Sequence, residues 1–222
     1  MKADLHIHTY YSYDSTARPK EMVEAALEKG IDCLAVCDHG QIKGAMEAIE
    51  YAKNKPVLII PGIEIKSKEG DILGLNVREI IPNKLSARET VERIKKSGGL
   101  AVIPHPFGWP CSFRGKLESL FSETTESLAI EVFNASIFSS ANKKAAEVAK
   151  KYDLAFTCGS DAHFPGFIGK AYLEIPGENL SIEQALEAIK NKKCSVHGSE
   201  AVFFEKVTDH VKRNLVKFKD LI

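Results

Sequence analysis

Two short segments of this chain concentrate side chains that bind metals. Asp4-Leu5-His6-Ile7-His8 stands at the start, and Gly159-Ser160-Asp161-Ala162-His163 comes much later. In a β-strand, residues i and i+2 point to the same face. His6 and His8 are therefore expected to face one way, as are Asp161 and His163, with Leu5 and Ile7 facing a core. Further donors recur along the chain: Asp14, Asp38-His39, Glu64, Asp71 and His105. Five of the seven histidines fall in this set. Mixed imidazole and carboxylate donors suit zinc, manganese or iron, and the lack of paired cysteines disfavours a structural zinc site. The set exceeds the needs of one ion and suits two or three. Taken singly, each residue has an ordinary reading: a strand-end His as a surface group, Asp14 and Asp38 as turn or cap residues, Glu64 as half of an ion pair. Taken together, such placement at strand ends is improbable by chance.

Donors so far apart in sequence converge only if the chain closes on itself. Residues 3–8 read as a strand. Pro19 to Gly30 reads as a helix, with Pro near its start, apolar residues at helical spacing and Gly at its end. Ile31 to Cys37 and Val57 to Ile60 are apolar strands, the latter stopped by Pro61-Gly62. Gln41 to Lys53 is helical. Glu64–Lys66 and Asp71–Val77 flank a Lys68-Glu69-Gly70 hairpin turn. Ser86 caps a helix running to Ser97, which Gly98-Gly99 ends. Leu100–Ile103, Leu128–Phe133, Ala155–Cys158 and Lys170–Ile175 read as strands, with helices over 139–152 and 181–192. Residues 203–219 carry the pattern of a last amphipathic helix. Repeated strand–helix units with buried strands indicate a parallel sheet. About seven strands with donors at their ends favour a closed barrel, where the C-terminal strand ends carry the chemistry. The donors span most of the chain, so one domain, residues 1–222, is expected.

Composition bounds the function. The chain has 222 residues, is 44% hydrophobic, and balances 30 basic against 30 acidic side chains. That neutrality counts against stable nucleic-acid binding, which usually needs excess Lys and Arg. A small phosphorylated ligand stays compatible with it. No apolar run reaches a membrane span. A strand begins within three residues, leaving no room for a signal peptide. Five cysteines with no C-x-x-C argue against a disulfide framework, and Cys33 and Cys158 read as buried hydrophobes. A cytoplasmic protein is expected.

The motifs resemble those of the polymerase and histidinol phosphatase (PHP) superfamily. The resemblance runs from residue 3 to about 175 through four motifs. They are Asp4-Leu5-His6-Ile7-His8-Thr9 continuing to Ser12 and Asp14, Cys37-Asp38-His39, Pro61-Gly62-Ile63-Glu64 followed by His105-Pro106, and Gly159-Ser160-Asp161-Ala162-His163. It implies a distorted (β/α)7 barrel with a trinuclear metal centre, similar to small stand-alone metal-dependent phosphoesterases. On that likeness His6, His8, Glu64 and Asp161 hold a first ion. Glu64 bridges to a second, which also takes His105. Asp14, His39 and His163 hold a third. Asp71 stands where many members carry His.

The implied chemistry is phosphoester hydrolysis. Two ions roughly 3.5–4 Å apart clamp the attacking and leaving oxygens, and lower a bound water's pKa from about 15.7 towards 7. That water is then the nucleophile, and no side chain is needed for the attack. No G-x-S-x-G elbow surrounds Ser160, so a serine hydrolase is disfavoured. Glu131 and Asn134 are either partners that fix a ligand His or turn formers. Asp38 and Arg114 are candidates for a catalytic role, Asp38 also as a partner that fixes a ligand His. Arg114, Lys66 and Lys43 are candidates to cradle phosphate. The substrate class is a small phosphorylated metabolite or nucleotide. Alternatives are histidinol phosphatase, or a nucleic-acid-processing or accessory module.

Overall fold

The computed structural model describes residues 1–108, 112–124 and 128–199, and side chains within those bounds except at 122–124. Residues 203–219, where a last helix is expected, lie outside them. In chain order the elements are β1 (Lys2–Ile7), α1 (Pro19–Glu28), β2 (Cys33–Val36), α2 (Lys43–Ala52), β3 (Leu58–Lys66), β4 (Asp71–Leu75) and α3 (Ala87–Lys96). There follow β5 (Leu100–Ile103), α4 (Leu117–Thr124), β6 (Leu128–Asn134), α5 (Ser139–Lys151), β7 (Ala155–Gly159), β8 (Ala171–Glu174), α6 (Ile182–Lys190) and β9 (Ser195–Gly198).

The described strands form one nine-stranded sheet in the order β7-β6-β5-β4-β3-β2-β1-β8-β9. It curls until its ends nearly meet. Beyond β7, the chain pairs with β1: Asp161 N–H donates to His6 O at 2.8 Å, and His8 N–H donates to Ala162 O at 2.8 Å. At the other end of β1, β8 pairs antiparallel through Lys2–Glu174 and Ala3–Leu173. The barrel is thus closed at the donor-bearing end by the β7 turn and at the opposite end by β8.

Three expectations are corrected. First, the sheet is not wholly parallel, because β4 runs antiparallel to both β3 and β5. The hairpin at Lys68–Gly70 reverses the chain without a crossover helix. Second, Pro61-Gly62 does not stop β3, which runs unbroken to Lys66. Pro61 is the last residue paired with β2, and pairing with β4 begins at Gly62. The missing proline N–H therefore falls where the strand changes partner. Gly62 is needed there, since a Cβ would lie 2.8 Å from Cys37 Sγ and 2.9 Å from Val36 O. Third, Asp161 and His163 are not in a strand. β7 ends at Gly159, and Asp161 sits in the turn beyond it at φ 54°.

The apolar residues fill two layers. Leu5, Cys33, Ala35, Cys37, Leu73, Leu75, Val102, Ala129 and Cys158 pack together inside the barrel. Ile7, Leu34, Val36 and Ile59 pack outward with Met22, Val23, Ala45 and Ala48 of α1 and α2. Leu5 and Ile7 therefore face opposite ways, against simple alternation. The cause is a β-bulge. Asp4 pairs with Leu34 and Ile7 with Val36, so β1 spends one more residue than β2 over that stretch. Bulges re-aim side chains beside functional sites. This one turns Asp4 out of the barrel and keeps His6 and His8 in.

Candidate metal centre

His6 and His8 are fully buried, and their Nε2 atoms face each other at 3.1 Å. The hydrogens on their other ring nitrogens are fixed by partners. His6 Nδ1 lies 3.1 Å from Glu131 Oε1, and a carboxylate oxygen can only accept, so Nδ1 carries the hydrogen. Ser12 Oγ donates to Asp38 Oδ1 at 2.8 Å, so it accepts from His8 Nδ1 at 3.1 Å. Both Nε2 lone pairs are thereby left pointing at one spot. Two acceptors at that range repel unless a cation lies between them. Without an ion, a proton on His6 Nε2 fills that spot: burial opposes it, yet Asp161 and Glu131 outweigh burial and hold the His6 pKa well above the ordinary 6.5. His8 stays the acceptor, because burial, then the neighbouring His163 and His39, push its pKa down to about 3. A metal ion would take the place of that proton.

Carboxylates close in on the same spot. Glu64 Oε2 lies 3.7 Å from His6 Nε2, 3.3 Å from His8 Nε2 and 3.1 Å from His39 Nδ1. Glu64 Oε1 lies 3.4 Å from His105 Nε2. Asp161 Oδ1 lies 3.6 Å from His6 Nε2 and 3.4 Å from His8 Nε2. Burial opposes ionisation of Glu64, yet His39, His105 and His6 outweigh it and hold its carboxyl well below the usual range. Asp71, at the start of β4, is half-buried and groups with Glu64 and His105, their ligand atoms within 4.8 Å of one another. Burial and then the charge of Glu64 push its carboxyl up.

A third group sits at the edge. Asp14 Oδ1 is 3.2 Å from His163 Nε2, and Asp14 Oδ2 is 3.4 Å from His39 Nε2. His163 Nδ1 donates to Asp161 O at 2.9 Å, so its Nε2 lone pair faces the Asp14 oxygen. Again acceptor faces acceptor. Asp14 Oδ1, His163 Nε2, His105 Nδ1 and both Glu64 oxygens are buried with no hydrogen-bond partner. Buried polar atoms are rarely left so. Several such atoms converging in one cluster fit metal ions as the missing partners.

All nine sequence-predicted donors come together: His6, His8, Asp14, His39, Glu64, Asp71, His105, Asp161 and His163. The other candidates do not join them. Asp38 is buried behind His8, accepting from Thr9 N–H at 2.6 Å, Thr9 Oγ at 2.7 Å and Ser12 Oγ at 2.8 Å. It fixes the loop that holds His8 and touches no donor carboxylate. Arg114, Lys66 and Lys43 are exposed. Lys66 pairs across the hairpin with Asp71, while Arg114 N–H donates to Glu69 O at 2.6 Å. Glu131 is buried and accepts from His6, one of the expected donors, rather than sitting in a turn.

Sequence reasoning missed Asp4. It is fully buried on the outer side of β1 and accepts from Ser160 N–H at 2.9 Å, Ser160 Oγ at 2.6 Å and Gly169 N–H at 2.9 Å. Burial, only partly offset by those bonds, pushes its pKa up to about 6. Asp4 ties β1 to the segment before Asp161. The signal was the acidic residue at the head of the first motif, but its outward direction depends on the bulge.

The PHP domain family matches residues 4–191, and the chain belongs to that family. An uncharacterized protein of Methanocaldococcus jannaschii is 41% identical over 145 residues, covering 61% of this chain and 82% of that one. A probable phosphatase of Vibrio parahaemolyticus is 27% identical over 219 residues, covering 82% of this chain and 86% of its own. Among solved structures, a two-domain protein from Bacteroides vulgatus containing a predicted PHP-like metal-dependent phosphoesterase matches with a TM-score of 0.75. That match is 20% identical and covers 89% of this chain, which spans 64% of that protein. The barrel is therefore shared with a PHP-like protein.

Proposed function

We propose that this chain is a metal-dependent phosphoric ester hydrolase acting on a small phosphorylated metabolite or nucleotide. The observation that carries the reading is the convergence of buried donor atoms: Asp14 Oδ1, His163 Nε2 and both Glu64 oxygens without a hydrogen-bond partner, beside the facing Nε2 atoms of His6 and His8 at 3.1 Å. His6, His8, Glu64 and Asp161 would hold one ion. Glu64, His105 and Asp71 would hold a second, and Asp14, His39 and His163 a third. Divalent manganese, zinc or iron, bound there, would neutralise phosphate charge and supply an activated water at neutral pH.

The residues themselves do the rest. Glu64 reaches every group with one oxygen or the other. Asp38, through Ser12, keeps His8 protonated at Nδ1 and open at Nε2. Lys66, exposed and across the hairpin from Asp71, would meet substrate phosphate. No step calls for a nucleophilic side chain. Residues 1–222 form a single catalytic unit in this reading, because the donors extend from the first strand to the turn after β7. Buried free thiols at Cys33, Cys37 and Cys158 suit a reducing, cytoplasmic setting. No helix among the described residues is long and apolar enough to cross a membrane.

The test is a panel of phosphomonoesters, histidinol phosphate, nucleotides, cyclic nucleotides and short oligonucleotides, assayed with manganese. Turnover of small phosphoesters that a chelator abolishes is the expected result. No turnover of any member with manganese, zinc or iron would refute the reading.

A further inference from the structure

Glu131 belongs to no donor group, yet it bonds two donor-bearing segments and a third partner. Its Oε1 accepts from His6 Nδ1 at 3.1 Å. Its Oε2 accepts from His105 N–H at 2.7 Å and from Asn134 Nδ2 at 3.0 Å. Asn134 Nδ2 also reaches Asp161 Oδ2 at 3.4 Å. Glu131 is 1% exposed and Asn134 fully buried, so water does not substitute for these bonds.

Two of the tied residues hold unusual backbone. His105 has φ 31° and Asp161 has φ 54°. Non-glycine residues rarely adopt positive φ, and such conformations persist where surroundings over-determine them. The short bond from His105 N–H to Glu131 is one such determinant. It sits on the residue whose ring reaches Glu64.

We infer that Glu131 is a positioning residue that sets the His6 tautomer and the His105 backbone together, and so couples the first and second metal sites. The inference rests on the reading that His6 and His105 hold ions. Only a carboxylate fits all three donors, because it alone offers acceptors on both atoms. A glutamine at this position meets a conflict. With its carbonyl oxygen on His6, its NH2 group opposes the His105 N–H and the Asn134 amide. Turned over, its NH2 group donates to His6 Nδ1. The His6 hydrogen then moves to Nε2, which blocks the atom that faces His8. Either arrangement damages one site through the other. The Asp14–His39–His163 group has no bond to Glu131 and should be spared.

Ring nitrogen NMR of 15N-histidine protein, titrated with zinc, tests this. In wild type, His6 should be hydrogen-bearing at Nδ1 and shift at Nε2 on zinc addition. In Glu131→Gln, zinc affinity read at His6 and His105 should fall about 10–100-fold. His39 and His163 should titrate as before. Loss at both pairs alike, with circular dichroism unchanged, would overturn the coupling, as would unchanged affinity at His6 and His105. Should Glu131→Gln fail to fold, wild type still decides: zinc binding through His6 Nδ1 would refute the tautomer assignment. A wild type whose histidines show no zinc shift would instead sink the metal-site reading itself.

Discussion

Glu64 lies within 3.7 Å of four imidazoles, those of His6, His8, His39 and His105. Its two oxygens point to different groups, which makes it the one side chain shared by the first and second proposed ions. Glu64→Gln keeps the shape and removes the charge. Metal affinity should fall by more than about 100-fold, beyond the 10–100-fold typical of outer partners, and turnover should fall with it while the fold persists. Full turnover by Glu64→Gln would remove the shared-ligand assignment. Asp71 is the sharper case, because a carboxylate stands where the motif resemblance leads one to expect a neutral imidazole. Carboxylates favour harder ions such as manganese. Asp71→His should therefore shift metal preference towards zinc. Asp71→Ala should weaken manganese binding, and a manganese titration matching wild type would show that Asp71 is no ligand. The candidate donors were legible in the sequence because so many His, Asp and Glu residues fall together at strand ends, although each one alone has an ordinary reading. Asp4 and Glu131 were harder, since a carboxylate that orients a neighbour differs from any other only in what it touches.

At the scale of elements, the bulge in β1 and the close approach of β7 decide the site. Gly159 lies against the His6 backbone, and a Cβ there would collide with His6 Cβ and lie 2.7 Å from His6 N. Gly159→Ala should cost about 1–3 kcal/mol, the usual range for overpacking, measured by denaturant unfolding. A stability equal to wild type would mean that β7 and β1 are free to separate. Asp4 binds the same junction and adds a pH dependence. Its folded pKa of about 6 lies above the ordinary 3.8. The folded state thus holds this proton more tightly than the unfolded chain does. The stabilising contribution is complete below about pH 4 and is lost as pH rises through about 6. Asp4→Asn cannot titrate. For metal-free proteins, the stability of wild type minus that of Asp4→Asn should fall between pH 4 and 7, by on the order of 3 kcal/mol at most. A constant difference would show that Asp4 is not buried against solvent. None of this was readable from alternation in Asp4-Leu5-His6-Ile7-His8. Register belongs to a pair of strands, and one extra residue set against Cys33–Val36 inverts the facing of every later residue in β1.

For the whole molecule, the barrel was foreseeable from repeated strand–helix units and the β3–β4 reversal from the Lys68-Glu69-Gly70 turn, whereas β3 ran through its proline. β9 was missed because Ser195–Gly198 is short and only partly buried, so it carries no hydrophobic pattern. The closure has an energetic consequence. It gathers four carboxylates and five imidazoles into a buried cluster, and bound ions should offset their mutual repulsion. Ligand binding at 100 times Kd stabilises by about 2.7 kcal/mol. For a chain of this size that is roughly 5–10 °C in Tm. Chelation should lower Tm by about that amount, reversibly on adding manganese, in differential scanning calorimetry. A Tm indifferent to chelator would mean that the fold holds no ions.

Nine side chains that form a multinuclear centre should hold a countable number of ions. Protein loaded with manganese, desalted and submitted to elemental analysis should retain two to three ions per chain. A persistent stoichiometry of one or less would contradict the account.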